Sequence, residues 1–172
     1  SADLRGRRVL VVDDSDSARQ VLNQLLTSMS FIVDEAPSGQ QAIDCVQAAV
    51  AQGQAYDIVF LDWRMPALDG PSTARHLQAL GLTPAPHMVL VTAYARDEVQ
   101  SQARDAGIEE VLLKPVNASV LFDTAMRLIA GASHVEAIRL PTGNIQAKEF
   151  QKPQLEGVRI LLERGWTPYR VL

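Results

Sequence analysis

Four short apolar runs in this chain each stop at a polar residue, and that pattern constrains the fold more than any other feature of the sequence. Val9-Leu10-Val11-Val12 ends at Asp13-Asp14, Ile58-Val59-Phe60-Leu61 at Asp62, Met88-Val89-Leu90-Val91 at Thr92, and Val111-Leu112-Leu113 at Lys114-Pro115. Runs of this length, continuous rather than alternating and rich in β-branched residues, read as strands buried on both faces, as parallel central strands are. A further strand is expected at 31–35.

The intervening segments carry helical signals. Ser15-Asp16-Ser17 offers N-cap candidates for a helix to about Ser28, in which Ala18, Val21, Leu22, Leu25, Leu26 and Met29 follow the 3.6-residue period. Further helices are expected at 38–51, from near Gly70, at 96–105 and at 117–129. Strands and helices in strict alternation call for an α/β domain with a parallel sheet, right-handed crossovers and helices on both faces. Five strands in a chain of this size suit the doubly wound, flavodoxin-like order 2-1-3-4-5. In that order ligands bind beyond the strand C-termini, where strands one and three part.

A chain of 172 residues holds one such domain and a modest appendage. The domain is expected over 1–131. The stretch 132–154, with Pro141, Gly143, Asn144 and Pro153 and no sustained period, reads as a linker. In the tail, Leu155-Glu156-Gly157-Val158-Arg159-Ile160-Leu161-Leu162 echoes Leu4-Arg5-Gly6-Arg7-Arg8-Val9-Leu10-Val11. It departs from that template at Glu163-Arg164-Gly165-Trp166, so 155–172 is expected to be the truncated start of a second copy or an appended non-native tail.

Composition removes several function classes. A net charge of −4 with no clustered Lys and Arg argues against direct nucleic-acid contact. Cys45 is the sole cysteine, which rules out an intramolecular disulfide, and its Ala-rich helix suits a place at the core margin. The apolar stretches are strand-length, far below the ~20 residues that span a bilayer. With no signal-peptide pattern either, the expectation is a cytoplasmic domain that makes no membrane contact. His76, His87 and His134 are scattered and form no metal-ligand pair.

Neighbouring strands lie about 4.8 Å apart, so the sheet order brings Asp13, Asp14, Asp62, Thr92 and Lys114 to one edge and into one pocket. Three carboxylates packed together repel unless a cation relieves them. Mg²⁺ is the natural choice, being hard and served by few carboxylates, waters and phosphate oxygens. Asp14 and Asp62 are expected as direct ligands, with Asp13 ligating or holding a metal-bound water. A carboxylate can also attack phosphorus to form an aspartyl phosphate. Lys114 then pairs first with the carboxylate and afterwards with the phosphoryl oxygen, while Thr92 offers a short hydroxyl donor that must swing toward the new group.

These blocks, at 9–14, 57–70, 89–94 and 111–115, resemble those of bacterial response-regulator receiver domains, and the likeness covers about residues 5–131. Phe60-Leu61-Asp62-Trp63-Arg64-Met65-Pro66-Ala67-Leu68-Asp69-Gly70 resembles the family's phosphoacceptor block. The resemblance implies that Asp62 takes a phosphoryl group from the phosphohistidine of a histidine kinase or histidine phosphotransfer domain. It implies that the backbone carbonyl of Arg64 completes the Mg²⁺ coordination, that Thr92-Ala93 is the switch, and that Lys114-Pro115, joined by a cis bond, is the signalling lysine. The only chemistry expected of the domain itself is Mg²⁺-dependent self-phosphorylation and dephosphorylation. Self-association is expected to be no more than a weak homodimer; the echo near Gly157 and the habit of the family point to a hybrid sensor histidine kinase as parent polypeptide, with a stand-alone receiver carrying a tail as the alternative.

The chain departs from the family at Val111, where many receivers carry Tyr or Phe. Tyr94 is expected to shield the site or hydrogen-bond near it, with substitution for the missing ring left open. Trp63 beside Arg64 suits either an exposed surface for a partner helix or a cover over the first turn of the third helix. Arg64 is expected to reach back to phosphate or stay on the rim, and with Tyr94 to flank the route of attacking water. The competing reading is a haloacid-dehalogenase-type phosphatase with Asp14 as nucleophile in Asp14-Ser15-Asp16. It requires an acidic pair after the lysine, where the domain offers only Asp123, and leaves the Asp62 block unexplained. A nucleotide- or flavin-binding module would need a Gly-rich loop after strand one, which the sequence lacks.

Overall fold

The computed structural model describes residues 3–131. The expectations for 132–154 and 155–172 lie outside the described residues. The elements are β1 (Arg8–Val12), α1 (Asp16–Ser28), β2 (Ile32–Ala36), α2 (Gly39–Ala51), β3 (Ile58–Asp62), α3 (Gly70–Ala79), β4 (His87–Thr92), α4 (Asp97–Asp105), β5 (Glu110–Leu113) and α5 (Ala118–Ile129). All five strands are parallel, in the order β2-β1-β3-β4-β5. This is the expected doubly wound sheet.

Successive side chains of a strand point to opposite faces, and here both sets are apolar. Leu10, Val12, Val59, Leu61 and Leu90 pack with Ile43 and Val46 of α2, Leu77 of α3 and Val99 of α4. Val9, Val11, Phe60, Val89 and Val91 pack with Leu22 and Leu26 of α1 and Leu121 and Leu128 of α5. One sheet therefore has a core on each face, with helices dividing three to two.

Side-chain caps mark four helix starts, with Ser15, Ser38, Asp69 and Asn117 each accepting a backbone N–H of the first turn. Two expectations shift. Phe31, expected in β2, belongs to the turn leaving α1, because its N–H bonds to Leu26 O at 3.2 Å and its ring is buried. Val21, expected in the buried stripe of α1, is 54% exposed. The sheet covers Leu22 and Leu26, and Val21 sits about 100° around the helix from Leu22.

The sheet edges carry paired charges. On β2, Asp34 accepts from Arg8 Nη2 at 2.6 Å and from the Tyr56 hydroxyl at 2.7 Å, and Glu35 pairs with Arg19. On β5, Glu110 pairs with Arg127 at 2.9 Å. Among the described residues no helix is long and apolar enough to cross a membrane.

Candidate functional site

Backbone bonds align the strand ends that carry the polar residues. Asp13 N–H donates to Ala36 O at 3.2 Å, Trp63 N–H to Val91 O at 3.1 Å and Lys114 N–H to Thr92 O at 2.8 Å, so the sheet ladder runs on past the last strand residues. The Lys114-Pro115 bond is cis, as the family resemblance implied. Glycine is required at position 70. A Cβ there would lie 2.4 Å from the Asp62 carbonyl oxygen, so α3 can begin against the end of β3 only without a side chain.

Lys114 Nζ donates to Asp13 Oδ2 and to Asp62 Oδ1, each at 2.7 Å, and so joins the ends of β1, β3 and β5. Asp13 is 2% exposed, and its Oδ1 accepts Ser15 N–H at 2.9 Å. Asp14 is exposed, yet one oxygen from each of Asp13, Asp14 and Asp62 lies within 4.8 Å of the others. Burial raises the Asp62 carboxyl above its ordinary 3.8; the Lys114 hydrogen bond opposes this, and the charges of Asp13 and Asp14 add to it. Burial acts to lower the Lys114 ammonium, but its bonds to Asp13 and Asp62 prevail and leave it above 10.5. Three carboxylates with one ammonium keep an excess of negative charge, and an all-oxygen donor set of this kind fits a hard divalent cation.

Thr92 is buried, and its hydroxyl oxygen accepts Tyr94 N–H at 3.1 Å, so it is turned to the β4–α4 loop. Ala93 follows at the exposed start of that loop. Val111 pairs with Leu90 in the ladder and packs, partly buried, against the core of the α2, α3 and α4 face.

The reading of Trp63 as an exposed docking residue is overturned. Trp63 is 9% exposed, its Nε1 donates to Gln102 Oε1 on α4 at 3.3 Å, and Tyr94 meets it edge-on with ring centroids 5.6 Å apart. An amphipathic ring can be buried where its N–H finds an acceptor, and α4 supplies one. Arg64 stays on the rim. Its guanidinium lies 5.0 Å from the Trp63 ring centroid and 5.1 Å from that of Tyr94.

Sequence reasoning missed Gln102, which no local pattern marks, and Arg19, whose Nη1 donates to Asp13 O at 2.6 Å. A basic residue in the first turn after the acidic pair was the available signal for Arg19. The two described histidines lie away from the site, His76 bonding to Ser72 O and His87 to Glu109; His134 lies outside the described residues.

A family model described as the response regulator receiver domain matches residues 9–139. The transcriptional regulatory protein ZraR of Escherichia coli K12 is 32% identical over 142 residues, which make up 83% of this chain but 30% of that protein. The chain thus spans under a third of that relative's length. Among solved structures, the chemotaxis protein CheY4 of Vibrio cholerae aligns with a TM-score of 0.63 at 26% identity, covering 72% of this chain and 98% of that one. The receiver domain of the histidine kinase CKI1 of Arabidopsis thaliana, complexed with Mg²⁺ and BeF₃⁻, aligns with a TM-score of 0.62 at 28% identity, covering 72% of this chain and 93% of that one.

Proposed function

Because the chain belongs to the response regulator receiver domain family, we propose that Asp62 is its phosphoacceptor, taking a phosphoryl group from a phosphohistidine. A carboxylate oxygen of Asp62 attacks phosphorus, the O–P bond forms as the N–P bond of the donor breaks, and the freed imidazole takes a proton from water. The observation that carries this reading is the Lys114 ammonium set 2.7 Å from both Asp13 and Asp62. It holds the nucleophile in place and lies beside the position where the phosphoryl oxygens arrive. Asp13, Asp14, Asp62 and the Arg64 backbone carbonyl would hold Mg²⁺, which would supply positive charge against the oxygens of the transferred group. Thr92 turns its hydroxyl toward the new group, giving up its bond to Tyr94 N–H.

The donor is a histidine kinase or histidine phosphotransfer domain in the cytoplasm, and this segment contacts protein rather than nucleic acid, in keeping with its net charge of −4. The similarity to the CKI1 receiver supports a hybrid histidine kinase as parent, and the similarity to ZraR supports a response regulator instead. The phosphatase alternative with Asp14 as nucleophile is not favoured, since Lys114 serves Asp13 and Asp62. Incubating the 172-residue chain with acetyl phosphate and Mg²⁺ and mapping the acyl phosphate tests the assignment. One phosphoryl group on Asp62, absent from Asp62→Asn, is expected; label on Asp14 would overturn it.

A further inference from the structure

Val111 has no ring to turn inward and no polar tip, yet the pocket is joined to a neighbouring helix by other side chains. Thr92 Oγ1 accepts the backbone N–H of Tyr94 at 3.1 Å. The Tyr94 ring, 42% exposed, stands edge-on to Trp63 at an interplanar angle of 71°. Trp63 Nε1 donates to Gln102 Oε1 at 3.3 Å, and the other end of that amide donates to Glu98 Oε1 at 3.2 Å. Both bonds are met by a single amide orientation, so Gln102 has a defined acceptor end toward Trp63. Gln102 and Glu98 both belong to α4.

α4 depends on this link more than the other helices would. It is nine residues long, only Val99 and Ala103 are buried, and its N-cap residue Arg96 makes no side-chain cap bond. A helix so short is marginal without tertiary support. The Trp63 indole, one residue after Asp62, therefore adds a polar tether to the Val99 and Ala103 packing that holds α4.

We propose that the state of Asp62 is passed to α4 through Thr92, Tyr94, Trp63 and Gln102, and that this path replaces the one a ring at position 111 would provide. The proposal rests on the reading of Asp62 as acceptor. Thr92 turning its hydroxyl to a phosphoryl oxygen releases Tyr94 N–H, and the loop after β4 loses an anchor. The Tyr94 ring then shifts against Trp63, and the indole N–H bond that positions α4 is remade or lost. Arg64, whose guanidinium lies 5.0 Å from the Trp63 centroid and 5.1 Å from that of Tyr94, bridges the two rings, so a shift of Tyr94 is felt at Trp63. The two states differ by named contacts, as a ligand-driven population shift requires.

The test uses the full chain, loaded with acetyl phosphate and Mg²⁺, with intact mass to count phosphoryl groups and amide hydrogen exchange to read residues 97–105. In the wild type, loading is expected to change exchange in α4 on the order of tenfold. Gln102→Leu and Trp63→Phe, which remove the hydrogen bond from either side while keeping apolar bulk, are expected to load to the wild-type extent and to show a change below about twofold. Wild-type responses in both variants would overturn the relay, as would a loaded wild type whose α4 does not respond. A wild type that takes up no phosphoryl group on Asp62 overturns the acceptor reading instead, and the relay falls with it; the mass measurement separates the two failures.

Discussion

On one side of Asp62, α3 begins at Gly70 hard against the Asp62 carbonyl, Asp69 caps it through Ser72 N–H at 2.8 Å, and Gly70, Pro71, Thr73, Ala74 and Leu77 are buried. On the other side, α4 begins at Asp97 after Arg96, whose side chain caps nothing, and buries Val99 and Ala103. The contrast assigns two tasks. In-line attack needs a nucleophile fixed to within a fraction of an ångström, and the α3 side supplies that rigidity. A response needs an element of low local stability, and the α4 side supplies that.

The comparison breaks most easily at Gly70. Gly70→Ala places a Cβ 2.4 Å from the Asp62 carbonyl oxygen and 2.8 Å from Leu90 Cδ1. It should cost roughly 3 kcal/mol, seen as a lower urea midpoint with an unchanged slope. Next in size is the cation. At a hundredfold excess over its dissociation constant Mg²⁺ should stabilise the chain by about 2.7 kcal/mol, read as a rise in Tm. Asp14→Ala, which removes an exposed member of the carboxylate cluster, should remove most of that rise while leaving the metal-free Tm nearly unchanged.

The α4 side can be sharpened from its cap. Arg96→Ser adds the missing side-chain acceptor, worth about 1 kcal/mol, and should raise amide protection within 97–105 about fivefold by hydrogen exchange, with little effect on α3. The smallest effect concerns pH. Burial, opposed by Lys114 and reinforced by Asp13, holds the Asp62 carboxyl above its ordinary 3.8, so the folded chain binds that proton more tightly than the unfolded chain. The contribution of this group to stability therefore falls as pH rises through the window above 3.8. Asp62→Asn should gain stability on the wild type across that window and keep the gain at pH 7, in paired urea titrations. A variant less stable than wild type at pH 7 would mean that the bond to Lys114 outweighs the burial of the charge.

The sequence made the pocket readable because parallel strands end together, so one residue at each end locates the site before any side chain is placed. Asp13, Asp14, Asp62, Thr92 and Lys114 are therefore visible from their positions alone. What it hid depends on contacts between elements. The burial of Trp63 requires Gln102, 39 residues away, and periodicity on α1 does not reveal that Val21 falls outside the part of the helix the sheet covers. The choice of Lys114 to bridge Asp13 as well as Asp62 follows from the spacing of β1, β3 and β5, which no local window contains.

The charges on the outer strands bear on a different hazard. Among the described residues the five-stranded sheet has two edges, β2 and β5, and an edge strand is where a foreign strand can add. On β2, Asp34 and Glu35 point to opposite faces, and each is held by an arginine; on β5, Glu110 is held by Arg127. A strand arriving at either edge would have to break or bury these ion pairs before gaining its own ladder, which disfavours edge-to-edge aggregation. Growth into a continuous fibre is thus disfavoured at both margins of the described sheet, where each added strand would cost the ion pairs already made.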